Sequence, residues 1–512
     1  MIGRVKYIIV LILISSVAFA QNNMKGTYRE QYRPQIHFSP PAHWMNDPNG
    51  LVYYKGTYHL FYQYYPKGTV WGPMHWGHAT STDLIHWKNK PIALYPDSIG
   101  LIFSGSAVVD YNNTSGFGKN GQPPLVAIFT HHNQAKEKDG KNDTENESLA
   151  YSNDEGKTWK KYAGNPVLKN PGISDFRDPN VMWYAPEKKW IMSLATKDRI
   201  TFYSSKDLKS WTKESQFGEH FGAHGGVWEC PDLFPLTAAD GKKTWVLLVN
   251  INPGGPQGGS ATQYFTGNFD GDKFTADRTG TRWLDEGTDE YAGVTWHNTG
   301  NRHLFLGWMS NWMYATTVPT KAWRSAMTIP RELKLTKVDT NYFVAAEPVK
   351  ELDGLKGQSV SLKENVKVKG EIDLTGPTKI LKRAGGQYEL DLSTDNLKSF
   401  SMILANSVGE KLLIGYNSKE NSWFIDRTQA GESGFNKDFA KRITVPRKVA
   451  SKNSDLKLII DAASVELFAD KGLTVMTSIF FSKRPYDKIK ISSVDTLVVN
   501  KINYAPLKAI WN

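Results

Sequence analysis

The stretch SNDEGKTW, residues 152–159, puts Ser, Asn, Asp and Gly into one short reversal that ends on tryptophan. Ser, Asn and Asp side chains bond to backbone N–H groups a few residues on, and Gly takes dihedrals that other residues avoid. The stretch therefore reads as a turn between two strands, and it has relatives along the chain. STDLIHW at 81–87 and SKDLKSW at 205–211 share its pattern, and FDGDKF at 269–274 is a related turn. Each follows a strand-like segment, and their spacing of roughly 50 to 70 residues suits four-stranded blades with insertions. Radially repeated blades make a propeller with an axial pocket; a sandwich is the structural competitor for the same pattern.

Outward from these turns the chain is nearly all strand. GLVYYKGTYHLFYQYY, KKWIMSLA, KTWVLLVNI and NRHLFLGWM combine aromatic and branched residues between Gly, Asn and Asp turns, and helical periodicity of useful length is absent after the first residues. A boundary is expected between PREL at 330–333 and LKGQSVSL at 355–362. Beyond it the composition shifts toward Lys, Ser, Val and Asp, and QYELDLS, KLLIGYN, SWFIDRT and SVELFAD alternate with period two. That pattern predicts a two-sheet sandwich beside the first domain.

Arg4 and Lys6 precede the apolar run YIIVLILISSVAFA, which ends in the small-x-small sequence Ala18-Phe19-Ala20. This reads as a signal peptide over 1–20, and a periplasmic or secreted protein is the expected product, with a retained amino-terminal anchor as the alternative. No later stretch is long and apolar enough for a transmembrane segment. The single cysteine, Cys230, excludes an intramolecular disulfide and a cysteine-cluster metal site. Net charge is +11, about +9 without Arg4 and Lys6, and scattered; no nucleic-acid-binding motif accompanies it.

Three acidic residues stand out: Asp47 in HWMNDPNG (43–50), Asp178 in FRDPNV (176–181) and Glu229 in VWECPDLF (227–234). Asn-Asp-Pro-Asn-Gly is turn chemistry first, and an acid beside an arginine is commonly an ion pair, so each alone has a structural reading. Together, in a domain rich in Trp and Tyr, they suit acetal cleavage, which needs one protonated acid and one ionised carboxylate. Glu229, between Trp228 and Cys230, has the setting for a raised pKa. Asp47, in a turn supplying backbone donors, has the setting for the ionised form. Asp178 follows Arg177, whose guanidinium is expected to keep it charged.

HWMNDPNG, WGPMHWGH (71–78), FSG (103–105), FRDP, WECPD and LDEGTDEYA (284–292) together resemble glycoside hydrolase family 32, the invertases, inulinases, levanases and other fructan hydrolases. The resemblance runs from about residue 34 to the end, more weakly in the second region. It implies an all-β chain: a five-bladed propeller carrying the site, over 30–345, then a β-sandwich over 355–512. It also implies retaining hydrolysis of terminal β-fructofuranosyl residues from levan, inulin or sucrose, with Asp47 as nucleophile, Glu229 as acid/base and Asp178 as stabiliser of the transition state. Asn46, Gln63, Trp71, Ser104 and Arg177 fall where the family contacts the terminal fructose; Trp312 resembles an aromatic wall, and Phe103 would close another side. The partner is a fructan or fructo-oligosaccharide, and neither cofactor nor metal is needed.

Three alternatives stay open: endo-action in an open cleft, fructosyl transfer to an acceptor sugar, and a glycan-binding protein without chemistry. The features outside the trio read more plainly. His75 and His78 could suggest a metal pair but lack a third ligand at suitable spacing. The segment HHNQAKEKDGKNDTENES, from His131, reads as a solvated excursion whose opening could reach a pocket rim. GGPQGG at 254–259 reads as a tight turn, Cys230 as a small buried hydrophobe, and the DRT (426–428) and VELFAD (465–470) segments as packing.

Overall fold

The structure, a computed structural model, describes residues 27–376 and 386–511; the expected signal peptide lies outside the described residues. Five blades, each built on four antiparallel strands and three of them carrying a short fifth, surround an axis. Their innermost strands are His43–Tyr54, Leu101–Val109, Phe176–Tyr184, Val227–Thr237 and Tyr291–Thr295, each touching the next around the ring. We number the blades I to V in that order.

The repeated turn has one structural place: it joins the third strand of a blade to the fourth. Third strands end at Ser81, Ser152, Ser205 and Phe269, and fourth strands start at Lys88, Lys160, Thr212 and Phe274. The turn aspartates hold the reversal by accepting from the backbone: Asp83 from Ile85 N at 3.0 Å, Asp154 from Thr158 N at 2.9 Å, Asp207 from Lys209 N at 2.8 Å and Asp270 from Lys273 N at 2.7 Å. Blade V makes the same reversal with only Asp339 and Thr340 between its paired strands.

Large aromatic side chains fill the wedges between blades. Trp76 and Phe129 meet between blades I and II, Phe176 and Trp190 pack between II and III, and Trp228 and Phe265 between III and IV. Closure comes from late in the sequence. Trp323–Arg324 pairs in parallel with His43–Trp44, and His297 exchanges backbone bonds with Leu51 and Tyr53, at 2.9 and 3.0 Å.

The second region is β as expected, but its ten strands form one hydrogen-bonded network rather than two separate sheets. The 19-residue strand Lys488–Pro506 explains this. Its first part pairs with Phe400–Ala405 and its last part with Tyr388–Thr394, so one strand serves both layers.

Buried ions fasten the two regions together. Arg331 reaches Asp285 at 2.9 Å and Glu466 at 2.5 Å; His37 lies between Asp461 at 2.7 Å and Glu466 at 2.9 Å. Arg427 bonds Asp289 at 2.7 Å and the Tyr314 hydroxyl at 2.9 Å. The DRT and VELFAD segments thus pack, as expected, by meeting the LDEGTDEYA aspartates and Arg331 across the join. No helix among the described residues is long and apolar enough to cross a membrane.

Candidate active site

HWMNDPNG is not a turn. It lies within an innermost strand, and its turn-like composition makes a β-bulge, an irregularity that sets two residues of one strand against one of its neighbour. Asn46 and Asp47 together face Gln63, because Met45 pairs with Tyr64 and Pro48 with Tyr62. The same device recurs in every blade. Phe103 and Ser104 face Thr130; Asp178 and Pro179 face Leu194; Cys230 and Pro231 face Val249; Ala292 and Gly293 face Gly307. Proline fits a bulge because it has no N–H to pair, which accounts for Pro179 and Pro231; Pro48 directly follows the bulge of blade I. Asp178, Cys230 and Ala292 have positive φ values of 65°, 43° and 54°, the local distortion that re-aims the strand.

The bulges free backbone groups, and side chains of neighbouring strands satisfy them. Gly105 N donates to Asn49 Oδ1 at 3.0 Å, Asp178 N to Thr130 Oγ1 at 3.0 Å, Cys230 N to Asp178 Oδ2 at 3.1 Å and Gly293 N to Asn250 Oδ1 at 3.1 Å. Only glycine fits at 105, since a Cβ there would lie 2.1 Å from the Ile128 carbonyl oxygen.

All ten residues singled out in the sequence border one cavity of about 400 Å³. Blade I supplies Asn46, Asp47, Gln63 and Trp71, blade II Phe103 and Ser104, blade III Arg177 and Asp178, blade IV Glu229, and blade V Trp312, in the connection between its second and third strands. Asp47 Oδ2 accepts from Ser104 Oγ at 2.7 Å and Oδ1 from Asn46 Nδ2 at 2.9 Å. Asn46 is itself held by Trp44 Nε1 at 2.7 Å. The donors to Asp47 are therefore side chains, not the backbone of a turn. Cys230 Sγ lies 3.7 Å from Asp47 and 3.6 Å from Asp178, a spacer between two carboxylates; burial and those charges push its thiol well up, so it stays protonated.

Glu229 has the raised pKa expected of it, and burial is the main cause, as expected. The Asp47 charge adds to it, opposed by Arg177 and by the Tyr291 hydroxyl, which donates to Oε2. Trp228 points away, into the core between blades III and IV. Arg177 donates to Glu229 Oε1 from Nε at 3.0 Å and Nη2 at 2.9 Å, and from Nη1 to Asp175 at 2.7 Å and Glu145 at 3.1 Å. Its guanidinium bonds these three acids, so the expectation that it keeps Asp178 charged is corrected. Burial, then Glu229 and Asp47, outweigh Arg177 and raise the Asp178 carboxyl well above its ordinary range.

The segment after His131 is exposed over most of residues 135–142, as expected, and its opening reaches the pocket. Asn133 caps the short helix Gln134–Lys138, and His132, Glu137, Lys141, Asn142, Thr144 and Glu145 border the cavity. Trp312 stacks on Trp44 at 5.7 Å, and Trp71, 37 % exposed, stands edge-on to Phe103 at 6.1 Å. Sequence reasoning did not single out Tyr291, Glu145 or Asp175 for this site, although Tyr291 sits inside LDEGTDEYA. His75 and His78 do not form a metal site: their odd spacing sends them to opposite strand faces, His75 to the Pro73 carbonyl and His78 to His59 at 3.1 Å. GGPQGG lies outside the cavity and turns toward the second region, where Gln257 Nε2 donates to the Thr444 carbonyl at 3.3 Å.

Comparison with known proteins agrees with this geometry. Levanase of Bacillus subtilis (strain 168) is 44 % identical over 521 residues, spanning 99 % of this chain and 75 % of its own length. The extracellular exo-inulinase of Aspergillus niger is 39 % identical, over 89 % of this chain and 90 % of its own. Among solved structures, exo-inulinase from Aspergillus awamori superposes with a TM-score of 0.86 at 36 % identity, covering 94 % of this chain and all of that one. A fructofuranosidase from Schwanniomyces occidentalis complexed with fructose gives 0.83 at 33 % identity, covering 93 % of this chain and 98 % of that one. Residues 37–347 match the N-terminal domain of glycosyl hydrolases family 32 and residues 351–506 match its C-terminal domain. The chain belongs to glycosyl hydrolase family 32.

Proposed function

We propose that the protein is an exo-acting, retaining β-fructosidase that releases fructose from the ends of levan, inulin or shorter fructosides. The observation that carries this reading is the convergence of Asp47, Asp178 and Glu229 in one cup walled by all five blades, a shape that suits a chain end. Asp47, oriented by Ser104 and Asn46, attacks C2 of the terminal fructose. The bond from C2 to the glycosidic oxygen breaks as Glu229 gives that oxygen its proton, the role its raised pKa suits. Water then attacks C2, Glu229 takes its proton, and the bond to Asp47 breaks, freeing fructose. Asp178 binds ring hydroxyls, and Trp312, Trp71 and Phe103 offer apolar faces to the C–H surfaces of the sugar. Asn46, Gln63, Ser104 and Arg177 supply polar contacts. Removal of residues 1–20 with release to the periplasm or medium, and assignment of 30–345 as catalytic and 355–512 as the accompanying sandwich, complete the reading.

The test is product size over time. Levan, inulin and sucrose are each incubated with the protein and with Asp47→Ala. Fructose as the sole early product, lost in the variant, is expected; early oligosaccharides would indicate endo-action, and binding without turnover a glycan-binding protein.

A further inference from the structure

The cavity wall between the second and third strands of blade II contains charged groups that the proposed reaction does not use. His132 Nε2 lies 3.1 Å from Glu137 Oε2, and its Nδ1 lies 3.4 Å from Glu145 Oε1, a charge contact rather than an aligned hydrogen bond. The same Glu145 oxygen accepts from Arg177 Nη1 at 3.1 Å, while the other accepts from Phe176 N at 2.7 Å. Arg177 in turn grips Glu229 Oε1 through two N–H groups. From the outside inward the charges alternate: Glu137, His132, Glu145, Arg177, Glu229.

We propose that His132 and Glu145 are positioning residues that set how much of the Arg177 charge reaches Glu229. The proposal rests on the acid/base role given to Glu229 above. A guanidinium shared by Glu229, Glu145 and Asp175 presents less positive charge to any one of them than an unshared one would. Glu145 is the buried competitor, with its side chain 4 % exposed, whereas that of Asp175 is 33 % exposed and partly screened by water. His132 controls that competitor from the other side. Its ring lies flat on Phe103, centroids 4.4 Å apart and planes at 4°, so it cannot turn away without disturbing an aromatic wall of the cup. Burial disfavours its charge, but Glu145 and Glu137 outweigh that and raise its pKa. Burial likewise opposes the Glu145 charge, and Arg177 and His132 outweigh it and hold its pKa low. The groups facing Glu229 from elsewhere, Asp47, Asp178 and Tyr291, belong to other strands and stay in place when His132 or Glu145 is replaced.

The arrangement predicts opposite effects from adjacent substitutions. Glu145→Gln removes the competitor, Arg177 bears more fully on Glu229, and the acid loses its proton at lower pH. His132→Gln frees the Glu145 charge to act on Arg177, and Glu229 keeps its proton to higher pH. The measurement is kcat/KM for fructose release, from levan or inulin, whichever the wild type cleaves faster, between about pH 4 and about pH 9. The basic limb should move down by about 0.5–1 pH unit in Glu145→Gln and up by a smaller amount in His132→Gln. Glu137→Gln, a change at a side chain 60 % exposed that folding should tolerate, should move it down more weakly. Limbs that stay fixed, or move the same way in Glu145→Gln and His132→Gln, would overturn the proposal even if activity falls. Glu229→Gln separates this from the underlying reading: wild-type activity there would remove the acid/base role itself.

Discussion

Arg427→Met should unfold the join between the two regions at the cost of a buried charge. The guanidinium is 1 % exposed and donates to Asp289 Oδ2 at 2.7 Å, the Tyr314 hydroxyl at 2.9 Å and the carbonyls of Phe439 and Ile479 at 2.7 and 3.0 Å. Methionine fills much of the volume but answers none of these acceptors. Asp289 would keep only neutral donors, the Tyr314 hydroxyl, Thr288 Oγ1 at 2.7 Å and Ile479 N at 2.9 Å, for a full negative charge in the interior. Breaking a buried pair by removing one partner costs about 3–5 kcal/mol, and the neutral donors left on Asp289 place this case toward the lower end. Urea unfolding followed by tryptophan fluorescence and circular dichroism, extrapolated to water, gives the number. The discriminating variant is the double replacement Asp289→Asn with Arg427→Met. If an uncompensated charge is the cause, removing it should restore about 2 kcal/mol relative to Arg427→Met alone. A double variant that costs the sum of the two singles, or an Arg427→Met loss below about 1 kcal/mol, would refute the reasoning.

Three further predictions concern other parts of the molecule. His37 is buried between Asp461 and Glu466; burial alone would lower its pKa from the ordinary 6.5, but the two carboxylates raise it to about 9. Its contribution to stability, about 3 kcal/mol at 1.36 kcal/mol per unit, should be full below pH 6.5 and lost as pH rises through about 9, a dependence that His37→Gln should flatten in denaturation curves. Tyr291→Phe removes a hydrogen bond that favours ionised Glu229, so the basic limb of the kcat/KM profile should move to higher pH, and a downward move would contradict the assignment. Gly105→Ala drives a Cβ into the Ile128 carbonyl, so a thermal melt should show a loss of roughly 1–3 kcal/mol, and displacement of Ser104 should lower kcat about tenfold or more.

The fold was legible where side chains organise the backbone locally. The Asp of each third-to-fourth turn bonds the N–H groups of its own reversal, so four blades could be counted from sequence, while blade V, closed by Asp339-Thr340, left no such mark. The acids were legible because three of them stood out together in a domain rich in Trp and Tyr, and the family motifs gathered them. Their surroundings were not. Arg177 adjoins Asp178 in sequence, yet the bulge sends the two side chains to different partners, so chain proximity gave the wrong ion pair. Glu145 and Tyr291 act on the site from strands far away in the chain, and no local pattern distinguishes them from ordinary buried polar residues. The loop after His131 is solvated over most of its length, as its composition indicates, while His132 and Glu145 near its ends border the cavity, a placement that composition does not carry.

The buried ion cluster at the join also imposes a schedule. His37 finds its two partners 424 and 429 residues further along the chain, and the strand that carries Asp47 is closed by Trp323–Arg324. A chain made from its amino end therefore holds the first blade unsealed while most of the polypeptide is still to come. The parts nearest the start are among the last to lock, and until then the aromatic edge of blade I needs to be kept from other chains.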